Sequence, residues 1–272
     1  MNKFWMIIRQ VVHIGVFVIL TILTQIGGVI YLATLILSRK LNLSKLKSLL
    51  LFSLIYLLCA VLIIPLVAPI FGRTPLPLYG SLRPLNVVTC LLNRHYVAPD
   101  LKTQLIKVSG LIAQKHPGSK INYLDANFPF INQFPLFPHL SHNDGKKVDL
   151  AFYYRDSESG ERSDSAPSFM GYGIYDGPTA REVNYPEKCE HQGHWQYDLI
   201  THLIPKWNES KYVVDKSRTR ELIRQLSISP GTDKIFIEPH LKQRWNLMNY
   251  DNIRYHGCQA VRHDDHIHLQ IK

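Results

Sequence analysis

Six consecutive residues near the C-terminal end, His263-Asp264-Asp265-His266-Ile267-His268, put three imidazoles and two carboxylates into one short run. Upstream, His142 and Asp149 stand seven positions apart. Imidazole nitrogens and carboxylate oxygens are donors for zinc, and two imidazoles with one carboxylate leave the fourth tetrahedral position open for water, as a catalytic site requires. A closed structural site would take four protein ligands. An isolated His-x-His says little in a chain with 13 histidines. The two groups together read as the halves of one metal site.

Both halves fall on segments with strand periodicity. In Ile267-His268-Leu269-Gln270-Ile271 apolar and polar residues alternate, so Ile267, Leu269 and Ile271 share one face while His266, His268 and Gln270 share the other. Val148, Leu150 and Phe152 likewise take one face of an upstream strand and leave Asp149 on the opposite one. His142 precedes that strand across a polar loop holding Asp144-Gly145, which can fold its ring back toward the carboxylate.

The pairing of His-x6-Asp with a distal His-x-His resembles the zinc peptidase superfamily that contains lysostaphin-type, D-alanyl-D-alanine and hedgehog-type domains. The longer His-x-x-His-x-His of His263, His266 and His268 is similar to the penicillin-insensitive murein endopeptidases within it. The resemblance covers roughly residues 85–272. It implies that His142, Asp149 and His268 bind zinc, that His266 is a non-ligand group in the site, and that His263 lies beside it. It further implies hydrolysis of peptide bonds in peptidoglycan, with stem peptides or their cross-links as partner. Other branches carry a glutamate base three positions before the last histidine, where this chain has Asp265. His266 is therefore the expected general base or transition-state stabiliser and His263 the second catalytic candidate, with Asp264 and Asp265 orienting rings. A D-Ala-D-Ala-type carboxypeptidase, which would need a cation such as Arg218, Arg254 or Arg262 for a terminal carboxylate, is one alternative. A non-catalytic metal-containing scaffold is the other.

The N-terminal residues 1–78 contain no Asp or Glu and hold two long apolar stretches, about 11–37 and 48–71, each long enough to cross a bilayer. We read them as a membrane hairpin and assign His13 and Gln25 no role. Arg39, Lys40, Lys45 and Lys47 lie between them, which puts that loop in the cytoplasm and both ends outside the cytoplasmic membrane. Residues 79–272 then form one extracytoplasmic domain. The formal charge of +10 is concentrated in the membrane half, and the outer part carries 24 basic against 21 acidic residues. So small an excess, with no basic run, argues against nucleic acid.

Of four cysteines, Cys59 falls in the second span and three lie outside, for which one disulfide and one free thiol is the simplest arithmetic; counting does not give the connectivity, and Cys189 with Cys258 is preferred because both lie near site segments. Residues 72–84 read as a linker. Helices are expected from Asp100, as cap, to Pro117-Gly118, over 217–226 with a serine cap, and over 239–247 with proline at its start. A strand is expected over 234–237. Cys189, His191 and His194 read as loop residues, not a second metal cluster. The intermixing implies an α+β domain with a small, mainly antiparallel sheet and flanking helices.

Overall fold

The structure is a computed structural model and describes residues 3–272. Two helices are long and apolar enough to cross a membrane, Lys3–Thr24 and Lys45–Phe71. The first apolar stretch is not one span over 11–37. The chain reverses at Gln25, whose φ is 67°, and a shorter helix, Gly27–Lys40, runs back along the first. His13 Nδ1 meets the Tyr31 hydroxyl at 2.5 Å, whereas a continuous helix would hold them roughly 27 Å apart. Glycine permits the reversal: a Cβ on Gly28 would stand 2.0 Å from Thr21 Oγ1 and 2.6 Å from the Phe17 carbonyl. The extra pass brings Arg9 to the same cleft as Arg39 and Lys45, so the start of the chain lies with the basic loop and not across from it.

Helix Lys45–Phe71 begins at a Ser44 cap and passes through a π turn, Cys59–Ile63, just before Pro65, whose ring removes a backbone donor. Its upper part packs Ala60, Ile64 and Ala68 on Tyr96 of the globular part. Polar contacts complete the joint. Gln25 Oε1 accepts from Phe130 N at 3.0 Å, Asn93 Nδ2 donates to Thr24 O at 3.3 Å, and the Tyr56 hydroxyl donates to Leu91 O at 2.6 Å. Gln25 thus has a docking role. Residues 72–84 are also tied down, because Thr74–Pro75 pairs antiparallel with Tyr96–Val97.

The globular part is α+β. Its largest sheet has six strands, β1 (Leu82–Pro84), β2 (Ile121–Tyr123), β3 (Lys147–Ala151), β4 (Thr232–Phe236), β5 (Ile253–Arg254) and β6 (His266–Ile271), in the order β5-β4-β6-β3-β2-β1. It is mixed: the central pairs are antiparallel, but β1–β2 and β4–β5 at the edges are parallel. One face receives the helices Pro99–Lys115 and Lys216–Ser227, whose Leu101, Leu105, Leu222 and Leu226 join Val148, Leu150, Ile267 and Leu269 in the core. The other face carries Asp149, His266 and His268.

Three local expectations change. The helix Pro99–Lys115 starts with Pro99 at its first turn, and Asp100 lies inside rather than at the cap. Helix Lys216–Ser227 is capped by Asp215, which accepts from Arg218 N at 3.1 Å, not by serine. The third ends at Arg244 because Asn246 turns left-handed at φ 53°.

Candidate metal centre

β6 lies against β3 with His268 opposite Asp149 and His266 opposite Ala151. Directly opposed residues share a face with Cβ atoms about 5 Å apart, so this register alone sets an imidazole beside the carboxylate. His142 arrives from the loop before β3, its Nδ1 2.8 Å from the Ala126 carbonyl, which fixes Nδ1 as the donor and aims Nε2 inward. His142 Nε2, His268 Nδ1 and Asp149 Oδ1 then form a triangle with sides of 3.0, 3.3 and 2.9 Å. Three donors bound tetrahedrally to one small cation at about 2.0–2.1 Å stand roughly 3.3 Å apart, so the triangle has the dimensions to hold a metal ion.

His139 joins from the same loop, its Nδ1 3.2 Å from Asp149 Oδ2. His139, His142 and Asp149 form a group that could hold a metal ion, with donor atoms within 4.8 Å of one another. The two sets share His142 and Asp149 and differ in the third member. The more compact triangle includes His268.

His266 stands beside the triangle, with Nε2 3.8 Å from Asp149 Oδ1 and without a hydrogen-bond partner although buried. Its Nδ1 is held by a short contact to Asp265, whose other oxygen accepts from Gly173 N at 2.6 Å. Gly173 has φ 85°, and a Cβ there would stand 2.8 Å from the Ile204 side chain, so the close approach to Asp265 requires glycine. His263 packs its ring 4.9 Å from that of His266 and 5.6 Å from that of His268. None of the six site residues, His139, His142, Asp149, His263, His266 and His268, is more than 4% exposed. The nearest exposed ring is His256, stacked 5.8 Å from His263.

Burial opposes ionisation of Asp149, but His142, His266 and His139 outweigh it and hold the carboxylate well below its usual range. Burial likewise opposes charge on His266, yet Asp265 and Asp149 push its imidazole up to about 9. Burial pulls His139 down to about 3 and His268 to about 4, so both favour the neutral, ligating form. Tyr172 donates to Asp149 Oδ2 at 2.9 Å and accepts from Asp125 N, fixing the carboxylate from outside.

A second buried cluster adjoins the first. Arg262 binds Asp264 with both arms, at 3.0 and 2.6 Å, and reaches Asp198 at 3.0 Å while covering the Tyr175 ring. His240 donates to the Asp176 carbonyl at 2.9 Å and lies 3.6 Å from Asp264. Asp264 therefore orients an arginine rather than a ring of the metal cluster. Arg262 and Arg218 are committed and cannot capture a substrate carboxylate: Arg218 is buried against Asp215, Ser119 and the Tyr154 carbonyl. Arg254 is exposed, and its guanidinium donates to the Asp251 carbonyl at 3.4 Å. Cys189 is joined to Cys258, which removes it from any cluster with His191 and His194.

Sequence reasoning missed His139 and Tyr172. The signal for His139 is its place three before His142, on the same tight loop. Nothing in the local sequence marks Tyr172, whose role depends on a contact across 23 residues. No family model matches this chain, and no curated protein matches it either.

Proposed function

We propose that the protein is a membrane-anchored zinc peptidase that hydrolyses amide bonds of peptidoglycan, with His142, Asp149 and His268 as ligands. The observation that carries this reading is the triangle of donor atoms, with a buried, unpartnered His266 Nε2 beside it. Bound zinc would supply an acidified water and a Lewis acid for the scissile carbonyl. The chain's own groups do the remainder. Without an ion Asp265 and Asp149 hold His266 as an imidazolium; a cation drawing on Asp149 would weaken that hold, and His266 would then take the proton of the attacking water at Nε2 while Asp265 fixes its ring. His263, neutral through burial and its imidazole neighbours, closes the site and supports the developing negative charge. His139 and Tyr172 hold the outer oxygen of Asp149.

The substrate class is supported by the likeness of the two motifs to murein endopeptidases and by the membrane half. Lys3, Arg9 and the basic loop share one end of the helices and the globular part occupies the other. The positive-inside rule then puts the basic end in the cytoplasm and residues 79–272 outside the cytoplasmic membrane. The test is to incubate the full-length chain in detergent micelles with peptidoglycan, with zinc and with a chelator, and to identify released muropeptides by mass spectrometry. Chelator-sensitive release of defined fragments is expected. A folded, zinc-loaded chain that releases none would overturn the reading.

A further inference from the structure

The three N-terminal helices do not close on one another at their basic end. Between them lies a cleft of about 1180 Å³. That exceeds the ~300–1,000 Å³ usual for drug-sized ligands. It is lined by the cations Arg9, Arg39 and Lys45 and by the apolar Val16, Leu20, Leu35 and Phe52. The three cations have no carboxylate within reach, because no acidic residue precedes Asp100 and no ion pair to them forms among the described residues.

A second feature points into the same cleft. Tyr31, Thr34 and Ser38 follow one another at three- and four-residue spacing and so share a face of helix Gly27–Lys40. Tyr31 is bound to His13. Thr34 and Ser38, only 3% and 6% exposed, have hydroxyl oxygens without any hydrogen-bond partner. Helical hydroxyls in apolar surroundings ordinarily bond to the carbonyl four residues back. Thr21 and Thr24 do so here, each at 2.8 Å. Thr34 and Ser38 line the cleft and do not.

Cations without a carboxylate partner, Arg9 touching the His13 ring at 3.5 Å, beside apolar side chains and two orphan hydroxyls, match an anionic headgroup attached to hydrocarbon. We infer that this cleft binds a phosphate-headed anionic lipid, its phosphate among Arg9, Arg39, Lys45, Ser38 and Thr34 and its chains along the apolar wall. The inference rests on the reading that these helices lie in a membrane.

The full-length chain, freed of lipid in detergent, is offered equal amounts of phosphatidylglycerol and phosphatidylcholine, and separately inorganic phosphate, and examined by native mass spectrometry. The expected result is one retained phosphatidylglycerol, favoured at least about tenfold over phosphatidylcholine. Arg39→Gln, or Thr34→Val with Ser38→Ala, should each remove about that factor, the size of one charge-assisted hydrogen bond. Equal retention of both lipids, undiminished selectivity in folded variants, or binding of inorganic phosphate with no lipid retained would overturn it. If a variant does not fold, the wild-type lipid preference decides alone. Flotation with vesicles separates the two readings: a chain that does not float refutes the membrane placement, and a floating chain without lipid selectivity refutes only the cleft.

Discussion

The globular part buries two adjoining clusters of histidine and carboxylate, and they solve the problem of buried charge differently. Around Asp264 the charges are balanced by the protein itself: Arg262 supplies a two-armed partner, and Arg244 neutralises Asp176 and Glu182 nearby. In contact with the Asp149 carboxylate are imidazoles and a tyrosine, with the Arg94–Asp125 pair behind them, and buried ring nitrogens on His139 and His266 have no hydrogen-bond partner. Buried charge is stable when paired, hydrogen-bonded or coordinated to a metal. The Asp264 cluster supplies its own cationic partner in Arg262, although His240 Nδ1 and Glu238 Oε2 there also lack a hydrogen-bond partner. The Asp149 cluster offers only imidazoles as counter-charge, and this difference, more than the number of histidines, makes it the one of the two that could hold a metal ion.

The largest contrast is expected from ligand removal. Asp149→Asn or His268→Ala should strip zinc, measured by elemental mass spectrometry, and lower turnover by more than the ~10–100-fold typical of outer partners. His139→Ala should retain the ion, as should His266→Ala, which should still lose about 10²–10⁴-fold in turnover. Zinc loss in His139→Ala with retention in His268→Ala would reassign the third ligand. Next, Arg262→Met should leave zinc content unchanged yet cost roughly 3–5 kcal/mol in denaturant unfolding, because it strands a buried Asp264. Third, zinc at 100 times its dissociation constant should stabilise the wild-type chain by ~2.7 kcal/mol, reversibly with chelator, and Asp149→Asn should not respond. The smallest effect concerns Glu238, next to Asp264, whose carboxyl is pushed up to about 7 by burial and then by that neighbour. The folded chain holds this proton where the unfolded chain, with the ordinary value of 4.5, has released it. Its contribution is therefore present below pH 4.5 and lost as pH rises through 7. Glu238→Gln should flatten that slope and raise stability above pH 7 by on the order of 1 kcal/mol, without touching zinc.

Much of the site was legible because strand periodicity is local. Alternation alone put His266 and His268 on the face opposite Ile267 and Leu269, and Asp149 opposite Val148 and Leu150. Counting thiols outside the apolar stretches left one disulfide and one free thiol, and the preference for Cys189–Cys258, which the structure bears out, came from their nearness to the site segments. What escaped depended on contacts distant in sequence. The arginine partners of Asp264 and Asp215 are invisible before folding, so Arg262 and Arg218 looked available. The reversal at Gln25 was hidden because apolar composition continues through it, and only the close packing of Gly28 on Thr21 marks the turn. Edge strands β1 and β5, two or three residues long, carry too little pattern to reveal their parallel pairing.

The segment after Phe71 has a mechanical consequence. A slack leash would let the globular part sweep a hemisphere, but here Thr74–Pro75 is paired with Tyr96–Val97, Leu76 N bonds to the His95 carbonyl, and Arg73 grips Asn132. Together with the Gln25 and Tyr56 contacts, these make a mast instead of a leash. Whatever surface the helices are planted in, the histidines stand at one elevation above it, set by these contacts and not by the length of the segment. Inserting residues between Pro77 and Ser81 would add a loop and leave that elevation unchanged. On the proposed membrane placement, what the site could reach is a layer of fixed height, selected by distance before it is selected by chemistry.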